Sequence, residues 1–288
     1  MTGGERPCRI PRPLRPCYRI LAMLGLGLIT TGTILADDRS HKPVISSLDR
    51  TAALSYSQSA LGNATADHHF TNNEGNMISL SGFRGKPLVI SFIYTSCHHT
   101  CPTLTNHLAS VVRIARDALG DESFSVVSIG FDTAVDTPER MHSYARERGI
   151  DITGWEFLGT DQTTMDAFGR ETGFIYFASA KGFDHLAQTT VLDSGGRVYR
   201  QVYGDNFEPP QLVEPLKELV YGQPGEAGVV SALMNNVRLF CTVYDPASGH
   251  YRFDYSIFIN IGAGIITLGV IAIFLVRAWY KQQKNRTA

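Results

Sequence analysis

Apolar residues gather along this chain in runs of three kinds, and each kind predicts a different element. Residues 88–94, LVISFIY, are continuously apolar and β-branched, the pattern of a strand buried on both faces. Downstream, Leu104, Leu108, Val111, Val112, Ala115 and Leu119 recur at helical spacing, so they share one face of a helix that Gly120 ends and whose first turn suits Pro102. The third kind is a long uninterrupted run. Residues 257–276 contain only Asn260 and Thr267 as clearly polar members, enough length for the roughly 30 Å of a bilayer core.

Shorter patterns fill the interval. FTNNEGNMISL predicts a small hairpin turning at residues 73–76, and SFSVVSIGFD, residues 123–132, a second buried strand. TPERMHSYARERG predicts a helix capped by Thr137, opened by Pro138 and stopped at Gly149. WEFLG reads as a strand, DQTTMDAFGRETG as a helix and FIYFAS as a strand. TTVLDSGGRVYRQVYG then gives a hairpin turning at residues 194–196, and residues 210–220 a closing helix. Strands alternating with helices, then a hairpin and a helix, are the order of a thioredoxin-like α/β domain with a central mixed sheet flanked by helices.

Charge places this domain relative to a membrane. Nine of the 26 basic residues but only one of the 27 acidic residues lie in residues 1–19 and 277–288, which leaves the middle with 17 basic and 26 acidic residues. An acidic middle is no nucleic-acid footprint. The arginine-rich start followed by apolar residues 20–36 reads as an export signal or signal anchor. Cleavage after Ala36 would put Ile34 where a small side chain is wanted, so the uncleaved anchor stays open. Trp279 and Tyr280 stand where interfacial aromatics belong, and Arg277, Lys281, Lys284 and Arg286 put the tail at residues 277–288 in the cytoplasm. The region between the two apolar segments then faces outward, across the inner membrane of a bacterium into the periplasm. Residues 37–67 are polar, without sustained period, and read as a linker.

Cysteine usage fits this partition. Cys8 and Cys17 fall in the cytoplasmic flank, leaving Cys97, Cys101 and Cys241 outside, so an exported domain carries one close pair and no disulfide scaffold. The pair lies in SCHHTCP, directly after the first buried strand. If both cysteines are helical, their four-residue spacing sets the sulfurs on one face at a Cα separation of roughly 6 Å, compatible with a disulfide. A helix N-terminus favours thiolate, which both redox exchange and soft-metal binding need, so spacing alone leaves both open. A metal would want a third donor. His98 and His99 are adjacent but point sideways from such a turn, as exposed residues at the mouth of the site. His185 is distant, in a loop before a strand, where a lone histidine is ordinarily a surface residue.

FIYTSCHHTCP, FDTAVDTPERMHSYA and FDHLAQTTVLDSGGRV resemble, in that order, the motifs of the Sco/SenC family, the thioredoxin-like copper chaperones of cytochrome oxidase assembly. The combination is far more specific than any one part. The resemblance covers about residues 69–222; together with the apolar segments it divides the chain into an N-terminal signal or anchor at 1–36, the linker at 37–67, the domain at 68–222, an extension at 223–256, the membrane helix at 257–276 and the tail at 277–288. It implies that Cys97, Cys101 and His185 ligate copper, as Cu(I) with Cu(II) as a further state. Asp132 and Asp136 match the family's DxxxD pair, and with His98 and His99 they are secondary candidates; their plain alternative is a turn and cap at a strand-to-helix junction. Asp184 precedes the histidine as in the family.

The implied function is a membrane-tethered metallochaperone that delivers copper to the CuA centre of cytochrome c oxidase subunit II. Other copper chaperones or a thioredoxin-like reductant are further implied partners. The alternative is an exported thiol–disulfide oxidoreductase in which the redox-active pair reduces target cysteines, Cys97 attacking and Cys101 resolving. A peroxidase on this fold would want threonine where the chain has Tyr94. Two departures stand out: the family commonly has proline where this chain has His98, and it commonly has a single N-terminal anchor. Cys241, with His250 nearby, stands in the unexpected C-terminal part.

Overall fold

The computed structural model describes residues 49–222, 234, 237–239 and 241–286; the signal or anchor segment at 1–36 and the start of the linker lie outside the described residues. The domain opens with helix α1 (Arg50–Ser59), hairpin β1 (His69–Thr71) and β2 (Met77–Ser79), and strand β3 (Leu88–Ile93). Next come α2 (Thr100–Leu119), β4 (Ser125–Gly130), α3 (Pro138–Glu147), β5 (Trp155–Leu158) and α4 (Gln162–Thr172). Two hairpins, β6 (Tyr176–Ser179) with β7 (Gly182–His185) and β8 (Gln188–Leu192) with β9 (Val198–Tyr203), precede helix α5 (Pro210–Tyr221).

Five strands form the main sheet in the order β5-β4-β3-β8-β9. The β3–β4 and β4–β5 pairs are parallel and the β3–β8 and β8–β9 pairs antiparallel, the mixed thioredoxin-like sheet expected. All six residues of β3 and all six of β4 are buried, which explains why both read as mainly apolar runs interrupted only by serine and glycine and without polar–apolar alternation. Helices α2 and α5 run side by side: Tyr221 donates to the Ala118 carbonyl near their C-terminal ends, and the Phe207 carbonyl, just before α5, meets the His107 ring at 2.6 Å. Thr137 caps α3 as read, accepting from the Arg140 N–H; α4 is capped by Asp161, which accepts from the Thr164 N–H, and closed by Gly173, left-handed at φ 68°.

Three segments depart from the sequence reading. The supposed linker contains α1, whose buried face is only Ala53, Ser57 and Ala60. That face carries no large apolar residue, so no period marks it. The helix holds on by fit and by bonds. A Cβ on Gly173 would stand 2.8 Å from both the Ser57 Cα and the Ala60 Cβ, and the Ser57 hydroxyl donates to Gln188 at 2.7 Å. The supposed loop around His185 is β7, paired with β6 outside the main sheet. In the C-terminal extension, β10 (Thr242–Asp245) and β11 (His250–Phe253) form a hairpin against α2 and α5, and α6 (Ser256–Arg286) follows. Within α6, Phe258–Trp279 is long and apolar enough to cross a membrane, with mean hydropathy 2.4 and none of that stretch buried.

Candidate metal centre

The site forms where β3 gives way to α2. Cys97 is not helical. It ends a tight turn, its N–H bonded to the Tyr94 carbonyl at 3.1 Å, and α2 starts only at Thr100. The expectation that both cysteines share a helical face is therefore corrected: Cys97 precedes the helix and Cys101 sits in its first turn. The two residues still meet: the Cys101 N–H points at the Cys97 sulfur across 3.4 Å, and the Cys101 thiol bonds to the same sulfur. Cys97 thus occupies the place of a cap at a helix N-terminus, where unpaired N–H groups favour a negative sulfur. His99, the formal cap, makes no side-chain capping bond.

Both cysteines are free thiols, Cys97 8% exposed and Cys101 1%. They divide the available proton unequally. The Cys101 thiol donates to the Cys97 sulfur; the backbone N–H groups of Cys101 and His99 and the Tyr94 hydroxyl add to this, and together they outweigh burial and hold Cys97 down at about 4. Cys101 is pushed well above the usual thiol range by that same bond and by burial. Tyr94, buried and bonded to Cys97, is pushed up to about 12. At neutral pH the pair is one thiolate and one thiol.

His185, at the end of β7, is half-buried and packs edge-on to Tyr94, Phe131 and Phe174 at centroid distances of 6.0, 5.1 and 5.7 Å. Burial lowers its pKa and favours the neutral ring. Its Nδ1 lies 2.9 Å from the Leu186 carbonyl, so Nδ1 carries the hydrogen and Nε2 keeps a free lone pair. Among the described residues, no three His, Cys, Asp or Glu side chains are gathered into a finished metal cage. Cys97, Cys101 and His185 instead converge on Tyr94, which gives its hydroxyl to Cys97, its backbone N–H to Cys101 and its ring edge to His185. Two sulfurs and one imidazole nitrogen are a soft donor set that fits Cu(I).

The other candidates separate. His98 and His99 are exposed at the mouth. Asp136 is 1% exposed, and both of its oxygens are used inside the fold: Oδ1 accepts from the Thr95 N–H at 2.8 Å and the Thr95 hydroxyl at 2.7 Å, and Oδ2 from the Asp132 N–H at 3.0 Å. It ties the turn carrying Cys97 to the end of β4. Asp132 is half-buried and contributes that N–H, while Asp184 is exposed. Cys241 is buried in the extension, its carbonyl accepting from the Asp254 N–H. His250 stands 3.8 Å from Asp117 near the far end of α2.

Sequence reasoning missed Tyr94 as a site residue and Gly182 as its support. Gly182 has φ 113°, and a Cβ there would lie 2.9 Å from the Tyr94 hydroxyl oxygen, so the close approach of β7 requires glycine. The available signal was a hydroxyl-bearing aromatic at the end of an otherwise apolar run.

Thiolate absorbance of the reduced full-length protein should titrate with a midpoint near 4. Tyr94→Phe should move that midpoint upward, and an unmoved midpoint would remove the hydroxyl from the account. Because the folded value lies below the ~8.5 of an unfolded thiol, Cys97 ionisation favours the fold fully above that pH. This contribution disappears as pH falls through about 4.

Comparison with known proteins places the geometry. Residues 57–221, more than half of the chain, match the protein family described as SCO1/SenC, so the matched region takes in the end of α1. The chain is 23% identical over 144 residues to the SCO1 protein homolog of Bacillus subtilis, covering 49% of this chain and 74% of that one. In fold it is similar to a SCO1/SenC family lipoprotein from Bacillus anthracis, with TM-score 0.51, 22% identity, and 55% of this chain and 96% of that one covered. A structure of Arabidopsis thaliana ScoI was solved with copper bound; it has 18% identity and TM-score 0.49, covering 55% of this chain and 98% of that one.

Proposed function

Since the chain belongs to the SCO1/SenC family, we propose that it is a membrane-held copper chaperone in cytochrome c oxidase assembly, with copper as cargo carried by Cys97, Cys101 and His185. The observation that carries this reading is the convergence of both sulfurs and His185 on Tyr94, with Nε2 left free. Cys97 offers a thiolate at once. Cys101 surrenders its proton as the metal replaces it, and the Tyr94 hydroxyl gives up Cys97. Three protein donors leave Cu(I) open to an incoming thiolate, so transfer proceeds by exchanging one ligand at a time. The acceptor is the CuA site of oxidase subunit II. The apolar stretch Phe258–Trp279 crosses the inner membrane of a bacterium with its basic tail in the cytoplasm, which sets the domain in the periplasm.

A second use of the same thiols is supported by their unequal protonation, since an attacking thiolate beside a resolving thiol is what disulfide exchange needs. Cys97 would attack a target disulfide, forming a mixed disulfide and releasing one target thiolate. Cys101, its proton lost, would then attack the Cys97 sulfur and release the second. The target gains two electrons, the pair becomes a disulfide, and a thioredoxin-like reductant restores it.

X-ray absorption at the copper edge of the loaded full-length protein tests the metal reading. Two sulfur donors and one nitrogen are expected. A shell with fewer than two sulfurs would defeat it.

A further inference from the structure

The C-terminal hairpin is bound to the domain on one side and to the membrane helix on the other. Paired residues on antiparallel strands share a face, so Thr242, Tyr244, Tyr251 and Phe253 point one way. Tyr251 on that face packs against the domain core. Lys217 of α5 secures the hairpin, donating to the Thr242 carbonyl at 2.8 Å, pairing with Glu214 at 2.7 Å and lying 5.8 Å from the Tyr251 ring centre. The way out to the helix is equally tight. Asp254 donates its N–H to the Cys241 carbonyl and accepts from the Ser256 N–H at 2.8 Å, so only Asp254 and Tyr255 separate β11 from α6.

At this junction the apolar surface continues without cover. Phe253, Tyr255 and Phe258 are 36%, 64% and 45% exposed, with Phe253 tilted against Tyr255 at 4.8 Å and stacked with Phe258 at 6.0 Å. Phe258 is also the first residue of the membrane-crossing stretch, whose other end is Trp279. A bilayer entered at Phe258 has its headgroup layer at the height of Phe253 and Tyr255, where amphipathic aromatic side chains are most at home.

We infer that the hairpin is an interfacial anchor: Phe253, Tyr255 and Phe258 form a docking surface for the bilayer, and the thioredoxin-like domain stands on the membrane through it and not on a loose tether. This rests on the membrane placement proposed above.

The test is photocrosslinking on the full-length chain in vesicles of phosphatidylethanolamine with a minority of phosphatidylglycerol. p-Benzoylphenylalanine replaces Tyr255, Trp279 or exposed Lys181 in separate proteins. The docking surface predicts lipid adducts from Tyr255→p-benzoylphenylalanine in several-fold excess over the position-181 control, comparable to the yield at position 279. Lipid adducts at 279 with none above the control at 255 overturn the anchor and leave the membrane helix standing. So do protein adducts at 255, whether to a second copy or to another chain. Absence of lipid adducts at 279 as well overturns both readings.

Discussion

Cys97→Ser is expected to abolish useful Cu(I) binding, with affinity in competition against a Cu(I) chelator falling more than 100-fold, beyond the ~10–100-fold typical of losing even an outer partner of a metal ligand. Serine removes the one donor that is already a thiolate at neutral pH. It also leaves Cys101 with its proton and its burial but no negative sulfur to face. His185→Ala should weaken binding less, because two thiolates remain, and should take the nitrogen from the absorption shell. If both variants bind copper as the parent does, the metal lies elsewhere and the pair is redox machinery alone. His185→Ala should leave the fold in place, since His185 ends a hairpin outside the main sheet, whereas Cys97→Ser also forfeits the stabilisation from the thiolate, so circular dichroism accompanies its copper titration.

Gly130→Ala should damage stability and site together. A Cβ there would lie 2.4 Å from the Asp136 Cβ and 2.9 Å from the Met141 sulfur, distances that force a shift. Overpacking of a core usually costs ~1–3 kcal/mol. Here the displaced side chain is also the one that binds Thr95 and Asp132, and a buried donor left without its acceptor adds ~1–3 kcal/mol. A loss of ~3 kcal/mol in chemical denaturation is therefore expected. At pH and temperature where the variant remains folded, its Cu(I) affinity should also drop, since Asp136 holds the turn that presents Cys97. A variant of parental stability and affinity would show that Asp136 can move without consequence.

How much of this could be read from residues alone depended on whether burial left a period. Strands β3 and β4 were legible because covering both faces demands runs with no charged residue and nothing polar larger than serine. Helix α2 was legible because one face alone is buried. Helix α1 was not, because Ala53, Ser57 and Ala60 seat it by small size against Gly173, and small residues look the same in a linker. At the site, spacing and residue chemistry drew attention to the Cys97 and Cys101 pair, whereas His185 was picked out only by the resemblance of its FDH motif to the family. The reading of Cys97 as helical failed because a four-residue interval fits a helix and a turn feeding a helix equally well. Asp136 was placed among accessory candidates by its match to the family's DxxxD pair, and the motif did not show that its oxygens accept from Thr95 and Asp132 inside the fold. Tyr94 escaped because its hydroxyl meets Cys97 only once the turn has formed and Gly182 has let β7 close over the ring.

The placement of the hairpin on α2 has a mechanical consequence. Cys101 opens that helix, and Asp117, beside His250 of the hairpin, is 16 residues further on. At 1.5 Å per residue the attachment and the cysteines are separated by roughly 24 Å of rigid helix. On the proposed membrane anchor the domain is a lever with its fulcrum at the hairpin, and a tilt of about 5° there swings the sulfurs through roughly 2 Å. The proposed ligand exchange works over distances of that order, so on that reading the stiffness of the Lys217, Tyr251 and Asp254 contacts sets the angular tolerance with which Cys97 is aimed.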